Sequence, residues 1–234
     1  MRLLLLSNSK NVGQGYLEHA AGDLRAFLSG IRSALFVPFA AVRVPWDDFT
    51  ASVRAKFAEL GVRIEGAHGA ADPVAAVRAA EAVVVGGGNT FQLLKTMHER
   101  GLVAAIAERV RGGAPFVGWS AGSNVACPTI RTTNDMPIVE PPSLRAMGLV
   151  PFQINPHFLD AHPAGHGGET REERILEFIT ANRDVDVVGL REGSLLRLDG
   201  GRLDLLGPRP ARLFRFGREP QEVEPGASLQ FLMR

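Results

Sequence analysis

What most restricts the folds open to this chain is a series of short apolar runs without polar alternation: Leu3–Leu6, Ala34–Phe36, Val62–Ile64, Ala82–Val85 and Pro115–Gly118. A strand with one wetted face alternates apolar and polar residues, so uninterrupted runs belong to strands covered on both faces, as in a parallel sheet. Segments of helical period lie between them. Tyr16–Leu28 is one, and Pro45 followed by Asp47 and Asp48 opens a second that ends at Gly61. Asp72 before Pro73 is a cap followed by a first-turn proline, and starts a short helix to Ala80. Phe91–Val110 supplies one long helix or two abutting ones broken near Gly101. This alternation predicts an α/β fold with a doubly wound, mostly parallel sheet flanked by helices.

The second half is less regular. Residues 128–168 are rich in Pro, Asn and His with little periodicity, and read as a long loop-rich stretch of the kind a compact domain keeps for function. Thr170-Arg-Glu-Glu173 is a capping box opening a helix to about Thr180. Val185–Leu190 reads as another buried strand. Ser194–Leu198, the turn Asp199-Gly200-Gly201 and Arg202–Leu206 read as a hairpin, with further short strands making a β-rich C-terminal tail. With no internal repeat or low-complexity linker, residues 1–234 read as a single domain.

The sharpest local feature is Phe116-Val117-Gly118-Trp119-Ser120-Ala121-Gly122-Ser123, a buried strand running into Gly-x-Ser-x-Gly and then a helix. At such an elbow the serine hydroxyl stands above the sheet beside free helix amides that favour an oxyanion. The alternative is an ordinary strand-to-helix turn whose serine caps the helix. A serine needs a base. Among six histidines, His19, His68 and His98 fall in helical patterns or at a strand end. His157, in Asn155-Pro156-His157-Phe158, has the most constrained backbone because proline precedes it, and is preferred to His162 and His166. For the carboxylate that orients the imidazole, Asp135 and Glu192 are both candidates, and the residues alone do not choose. A second glycine run, Gly86-Gly87-Gly88-Asn89-Thr90, follows a buried strand but lacks both Gly-x-Gly-x-x-Gly and a P-loop lysine. Its glycines let backbone amides approach a substrate closely, or merely make a tight turn capped by Asn89 or Thr90.

Composition sets the remaining bounds. Lys plus Arg is 26 against 25 for Asp plus Glu, so net charge gives no support to a nucleic-acid or acidic-membrane partner. One cysteine, Cys127, excludes an intrachain disulfide and Cys-rich zinc sites, and fits a reducing cytoplasm; burial as a small hydrophobe is its expected fate. The apolar start is four residues long, short of the roughly seven a secretory leader needs. No stretch approaches the roughly 18 apolar residues of a membrane span. All but three of the 26 cations are arginine, a bias read as compositional, although a single arginine fork can grip a carboxylate.

Taken together, Gly-Trp-Ser120-Ala-Gly, the glycine run at 86–90, Cys127-Pro-Thr-Ile-Arg-Thr-Thr-Asn-Asp-Met-Pro-Ile138, Gln153-Ile-Asn-Pro-His-Phe158 and Gly168-Glu-Thr-Arg-Glu172 resemble the peptidase E family. The similarity runs from Leu3 to about Glu192. The resemblance implies a cytoplasmic α-aspartyl dipeptidase of serine type with a fold like class I glutamine amidotransferases. It implies Ser120 as nucleophile, His157 as general base, Asp135 or Glu192 as the acid with Asp135 modestly favoured, and the amides of Gly88 and Ala121 as the oxyanion hole. Selectivity for an N-terminal aspartate then calls for a cation. Arg171, on the capping-box turn, is the first candidate and Arg131 the second, with Asn89 grouped with them as substrate-binding; a solvated Arg171 paired with a glutamate is the alternative. No metal or cofactor is expected, and the partner is a small Asp-Xaa peptide, the substrate of a monomer or homodimer with no nucleic-acid or membrane partner. Three rival readings remain: a cyanophycinase-like hydrolase of the same fold, a catalytically silent binding protein, and an α/β-hydrolase esterase. The last is disfavoured because His157 follows Ser120 by only 37 positions.

Overall fold

The four leucines of β1 (Leu3–Leu6) are fully buried, which places this strand inside a sheet rather than at its edge. The structure is a computed structural model that describes residues 1–161, 165 and 167–234. After β1 the chain alternates helix and strand through α1 (Ala21–Phe27), β2 (Ser33–Val37), α2 (Trp46–Ala58), β3 (Arg63–Gly66), α3 (Pro73–Ala79) and β4 (Val83–Val85). It continues through α4 (Thr90–Glu99), α5 (Leu102–Arg111), β5 (Phe116–Trp119) and the one-turn α6 (Ala121–Asn124). The expected caps are present. The Asp72 carboxylate accepts from Ala75 N at 2.9 Å with Pro73 in the first turn of α3, Asn89 Oδ1 accepts from Gln92 N at 3.0 Å, and Gly101 separates α4 from α5.

β1 pairs in parallel with β5, Leu3 opposite Phe116 through Leu6 opposite Trp119. The main sheet has the order β3-β2-β4-β5-β1, followed by β8 (Leu195–Asp199) and β9 (Arg202–Leu206) as an antiparallel pair at its edge. From β1 to β2 to β3 the chain steps towards one edge, and from β3 through β4 to β5 it steps back. Right-handed crossovers then put the helices on opposite faces. Leu4 and Leu6 pack with α1 and α2, whereas Leu3 and Leu5 pack with α3, α4 and α5. The sheet is therefore doubly wound and mostly parallel.

A second sheet was not fully legible. It has the order β11-β10-β7-β6, from β6 (Gln153–Phe158), β7 (Val187–Arg191), β10 (Ala211–Phe214) and β11 (Gln221–Val223), with α7 (Arg171–Ala181) joining its parallel pair β6 and β7. The C-terminal strands are thus divided: the predicted hairpin extends the main sheet, and β10 and β11 build the second. The stretch read as loop-rich contributes β6. Pro156 hid it, because proline is tolerated in a sheet only at an edge or bulge; β6 is an edge strand, and its register slips between Pro156 and Phe158. Among the described residues, no helix is long and apolar enough to cross a membrane.

Candidate active site

The site lies where the parallel strands of both sheets end, the usual position for chemistry in open α/β sheets. Ser7 and Asn8 follow β1, Gly86–Gly88 follow β4, Ser120 follows β5, His157 sits near the end of β6 and Glu192 follows β7.

Ser120 has φ 52° and ψ −114°, a conformation L-residues avoid. Its neighbours impose it. Ser120 N donates to Leu6 O at 3.1 Å, while Ser120 O accepts from Ser123 N and Asn124 N at 2.9 and 3.0 Å, starting α6 at once. The buried Ser123 hydroxyl ties the turn back to Leu6 O at 2.7 Å. Gly122 is required by close approach, since a Cβ there would run into the Val85 carbonyl. Trp119, 1% exposed, anchors the strand by stacking on Phe36 and meeting Tyr16 edge-on.

His157 also has a positive φ, 53°, at the register slip of β6. Its backbone N–H donates to Ser7 Oγ at 2.8 Å, and that hydroxyl donates to Leu190 O at 2.7 Å. One fully buried hydroxyl at the end of the main sheet therefore fixes β6 and β7, the parallel pair of the second. The imidazole is aimed accordingly. His157 Nε2 lies 2.9 Å from Ser120 Oγ, and His157 Nδ1 lies 2.7 Å from Glu192 Oε1. A neutral ring with its proton on Nδ1 satisfies both contacts by donating to Glu192 and accepting from Ser120. Asn8 Oδ1 accepts from Gly193 N at 2.8 Å and so holds the turn that carries Glu192.

Asp135, the favoured acid of the sequence reading, is elsewhere. Its Oδ2 accepts from Thr90 N at 2.7 Å and Thr90 Oγ1 at 2.6 Å, at the start of α4. The expectation is corrected: the carboxylate against Nδ1 belongs to Glu192, and Asp135 satisfies helix-terminal donors. Its segment is nevertheless stitched to β6, because Asn134 Nδ2 donates to Pro156 O and Asn155 Nδ2 donates to Asn134 Oδ1, each at 2.7 Å. Asn89, grouped by the sequence reading with the substrate-binding residues, caps α4 through Oδ1 and donates one Nδ2 proton to Met136 O at 2.9 Å, so it braces the loop while its second amide proton takes part in neither bond.

Gly88 has φ 137°, and a Cβ there would collide with the Ala40 carbonyl. The backbone passes where only glycine fits, with Asn89 N bonded to Ala40 O at 2.8 Å. Gly87 lies against Trp119 and Ser120, so the glycine run abuts the elbow. Among the described residues, the amides of Gly88 and Ala121 have no hydrogen-bond acceptor.

Arg171 is the first residue of α7 and is half-buried, with Nη1 shielded from solvent and without a partner among the described residues. Burial, and then the charge of Arg174, lower its pKa. The carboxylates nearby are engaged: Glu173 closes the capping box on Thr170, Glu172 meets Arg212 at 3.2 Å and Glu169 meets Arg174 at 3.7 Å. The solvated, glutamate-paired Arg171 is therefore not what forms. Arg131 is exposed, and among the described residues its side chain makes no hydrogen bond or ion pair. His162 and His166 lie outside the described residues. Cys127 is buried, which pushes its thiol up to about 12 and leaves it inert. Among the described residues, no group of three His, Cys, Asp or Glu side chains is placed to hold a metal.

Sequence reasoning missed Ser7, Asn8 and Arg191. Arg191 ends β7 and is nearly buried. Its fork binds Asp160 at 2.7 Å through Nε and Nη2, binds Glu222 at 2.7 and 2.8 Å, and donates to Pro210 O at 2.8 Å. It therefore ties the end of β6 to β7 beside Glu192.

A serine at a strained elbow, an imidazole on its hydroxyl and a carboxylate behind the imidazole form the arrangement of a serine hydrolase. Residues 3–206 match peptidase family S51. The chain is 54% identical to peptidase E of Citrobacter koseri and 52% identical to peptidase E of Escherichia coli O6:K15:H31, in each case over 97% of this chain and 99% of the relative. Its fold matches the crystal structure of a peptidase from an acI-B1 actinobacterium with a TM-score of 0.70 at 19% identity, covering 97% of this chain and 96% of that one. It also matches a putative peptidase E protein from Listeria monocytogenes EGD-e with a TM-score of 0.66 at 19% identity, over 88% and 98%. The chain belongs to peptidase family S51, and is a serine-type peptidase.

Proposed function

We propose that this protein is a cytoplasmic dipeptidase that hydrolyses Asp-Xaa through an acyl-enzyme on Ser120, with residues 1–234 working as one unit. The observation that carries the reading is the continuous pair of short contacts from Ser120 Oγ to His157 Nε2 and from His157 Nδ1 to Glu192 Oε1. His157 takes the Ser120 proton as the oxygen attacks the peptide carbonyl, and Glu192 orients the ring and stabilises its cation. The Gly88 and Ala121 amides receive the oxyanion. His157 then protonates the leaving amine, and a water activated by the same ring hydrolyses the aspartyl ester.

Arg171 supports the substrate half. Among the described residues its half-buried guanidinium leaves one hydrogen bond unmade, which is costly, and a short β-carboxylate matches its fork. The relatives named peptidase E agree with a peptidase.

The test is a panel of X-Leu dipeptides with X as Asp, Glu, Asn and Ala. Asp-Leu is expected to exceed Asn-Leu and Ala-Leu by at least ~10²-fold in kcat/KM, because a site built around a charge is left unpaired by the neutral analogues. Arg171→Met should remove most of that preference. Equal rates across the panel would refute the specificity, and release of arginine from a β-aspartyl-arginine dipeptide alone would favour the cyanophycinase-like reading.

A further inference from the structure

A groove of about 420 Å³ opens from the glycine run, lined by Val42, Arg43, Val44, Phe49, Gly88 and Ile138. Val42, Val44 and Ile138 are 56%, 50% and 52% exposed. Three large apolar side chains left in water around one depression are a feature that folding alone does not require, and such patches mark binding surfaces. The groove shares Gly88 with the proposed oxyanion hole. A substrate carbonyl held by that amide would therefore place one of the groups flanking the scissile bond at the groove's mouth.

We infer that this groove is the subsite for the leaving residue, selecting an apolar side chain and rejecting a cationic one. The inference rests on the dipeptidase reading. The flanking group that belongs here is not the aspartyl side chain, for which Arg171 offers a half-buried guanidinium with no Nη1 partner among the described residues. The residue beyond the scissile bond remains, and its side chain can cover Val42, Val44, Phe49 and Ile138 on binding. Arg43 is the one formal charge on the lining. Among the described residues it has no ion-pair partner, so nothing offsets its repulsion of a lysine or arginine in the leaving position. One lining thus sets two preferences, apolar over small through contact area and neutral over cationic through charge.

The experiment compares kcat/KM for Asp-Leu, Asp-Ala and Asp-Lys on the wild type, Arg43→Glu and Val44→Asp. Both altered positions are exposed, so the variants retain the fold, which a thermal melt checks. The wild type should prefer Asp-Leu to Asp-Ala by about tenfold or more, as a few buried methylenes allow, and should process Asp-Lys poorly. Arg43→Glu should raise the Asp-Lys to Asp-Leu ratio at least about tenfold, and Val44→Asp should move it the same way. Ratios unchanged in both variants, with Asp-Xaa turnover intact, would overturn the inference and leave the dipeptidase reading standing. Loss of all Asp-Xaa turnover in Arg43→Glu alone would also overturn it, by making Arg43 the partner of the aspartyl carboxylate. Absence of turnover on every Asp-Xaa dipeptide by the wild type would refute the proposed function, and the inference with it.

Discussion

Replacing Ser7 with alanine removes one oxygen atom that touches neither Ser120 nor a substrate, yet it should damage both stability and turnover. The hydroxyl is fully buried, accepts from His157 N at 2.8 Å and donates to Leu190 O at 2.7 Å. Alanine leaves a donor and an acceptor unpaired in the interior, at roughly 1–3 kcal/mol each. Partial relaxation brings the expected loss to about 2–4 kcal/mol. At roughly 2–4 °C per kcal/mol for a chain of this length, Tm should fall by about 5–15 °C. The same bond holds His157 at φ 53°. Once it is lost, the strained backbone can relax and the ring can leave its position between Ser120 and Glu192. A misplacement of about 1 Å costs on the order of 10²-fold in rate. Steady-state kinetics on Asp-Leu, well below the variant's Tm, should show kcat down ~10²-fold with KM within about threefold of wild type. A variant with normal kcat and a lowered Tm would refute the claim that Ser7 positions the histidine.

Two further changes test the carboxylates. Glu192→Gln should lower kcat by about 10²–10⁴-fold, because an amide neither fixes the Nδ1–H tautomer nor balances the imidazolium. Asp135→Asn should cost less than about tenfold in kcat and show mainly as a lower Tm, since its partners are the Thr90 amide and the Thr90 and Thr133 hydroxyls; equal effects on kcat would sink the distinction. Arg191→Met breaks every bond of the fork and should cost about 2–4 kcal/mol, towards the low end for a buried pair because Asp160 and Glu222 are 59% and 38% exposed. Arg191 holds both carboxyls below their ordinary pKa. Their contribution is present above the unfolded value, near pH ~4, and is lost as pH falls through the folded values. Urea titrations from pH 7 to pH 2.5 should give a steep acid decline for wild type and a shallower one for the variant; parallel declines would count against the fork as its origin.

How far the site could be read in advance depended on whether a local pattern announced each part. β1 to β5 were legible because strands covered on both faces need continuous apolar runs, and the hairpin because Asp199-Gly200-Gly201 is a turn by chemistry. β6 was not, since Pro156 is admissible only at an edge or bulge and nothing local signals either. Ser120 was visible through the close approaches that demand its glycines. The carboxylate at Nδ1 was not, because Asp135 and Glu192 are both remote from His157 in sequence and only the pairing of β6 with β7 decides between them. Ser7 carried no signal, for a serine after a strand looks like any turn residue until the second sheet is seen to hang from it. Arg171 was visible as a capping-box neighbour, whereas its lack of an Nη1 partner among the described residues depends on where Glu169, Glu172 and Glu173 direct their carboxylates.

The elbow itself yields a test that separates its strain from its chemistry. Ser120, at φ 52° and ψ −114°, has the dihedrals of the first corner of a type II′ turn, which glycine fills without cost. A side chain held in such a region costs about 1–3 kcal/mol. Ser120→Ala keeps that cost and Ser120→Gly removes it, and each deletes the proposed nucleophile. Glycine also adds freedom to the unfolded chain, worth roughly 0.5–1 kcal/mol against folding. The glycine variant should therefore be the more stable of the two by about 0.5–2 kcal/mol, melting about 1–8 °C higher, the reverse of the usual order for these residues. Both should be inactive on Asp-Leu. If alanine melts at or above glycine, the positive φ stores no strain, and the view that surrounding contacts with Leu6, Gly122 and Val85 hold the serine in place against its own preference is wrong.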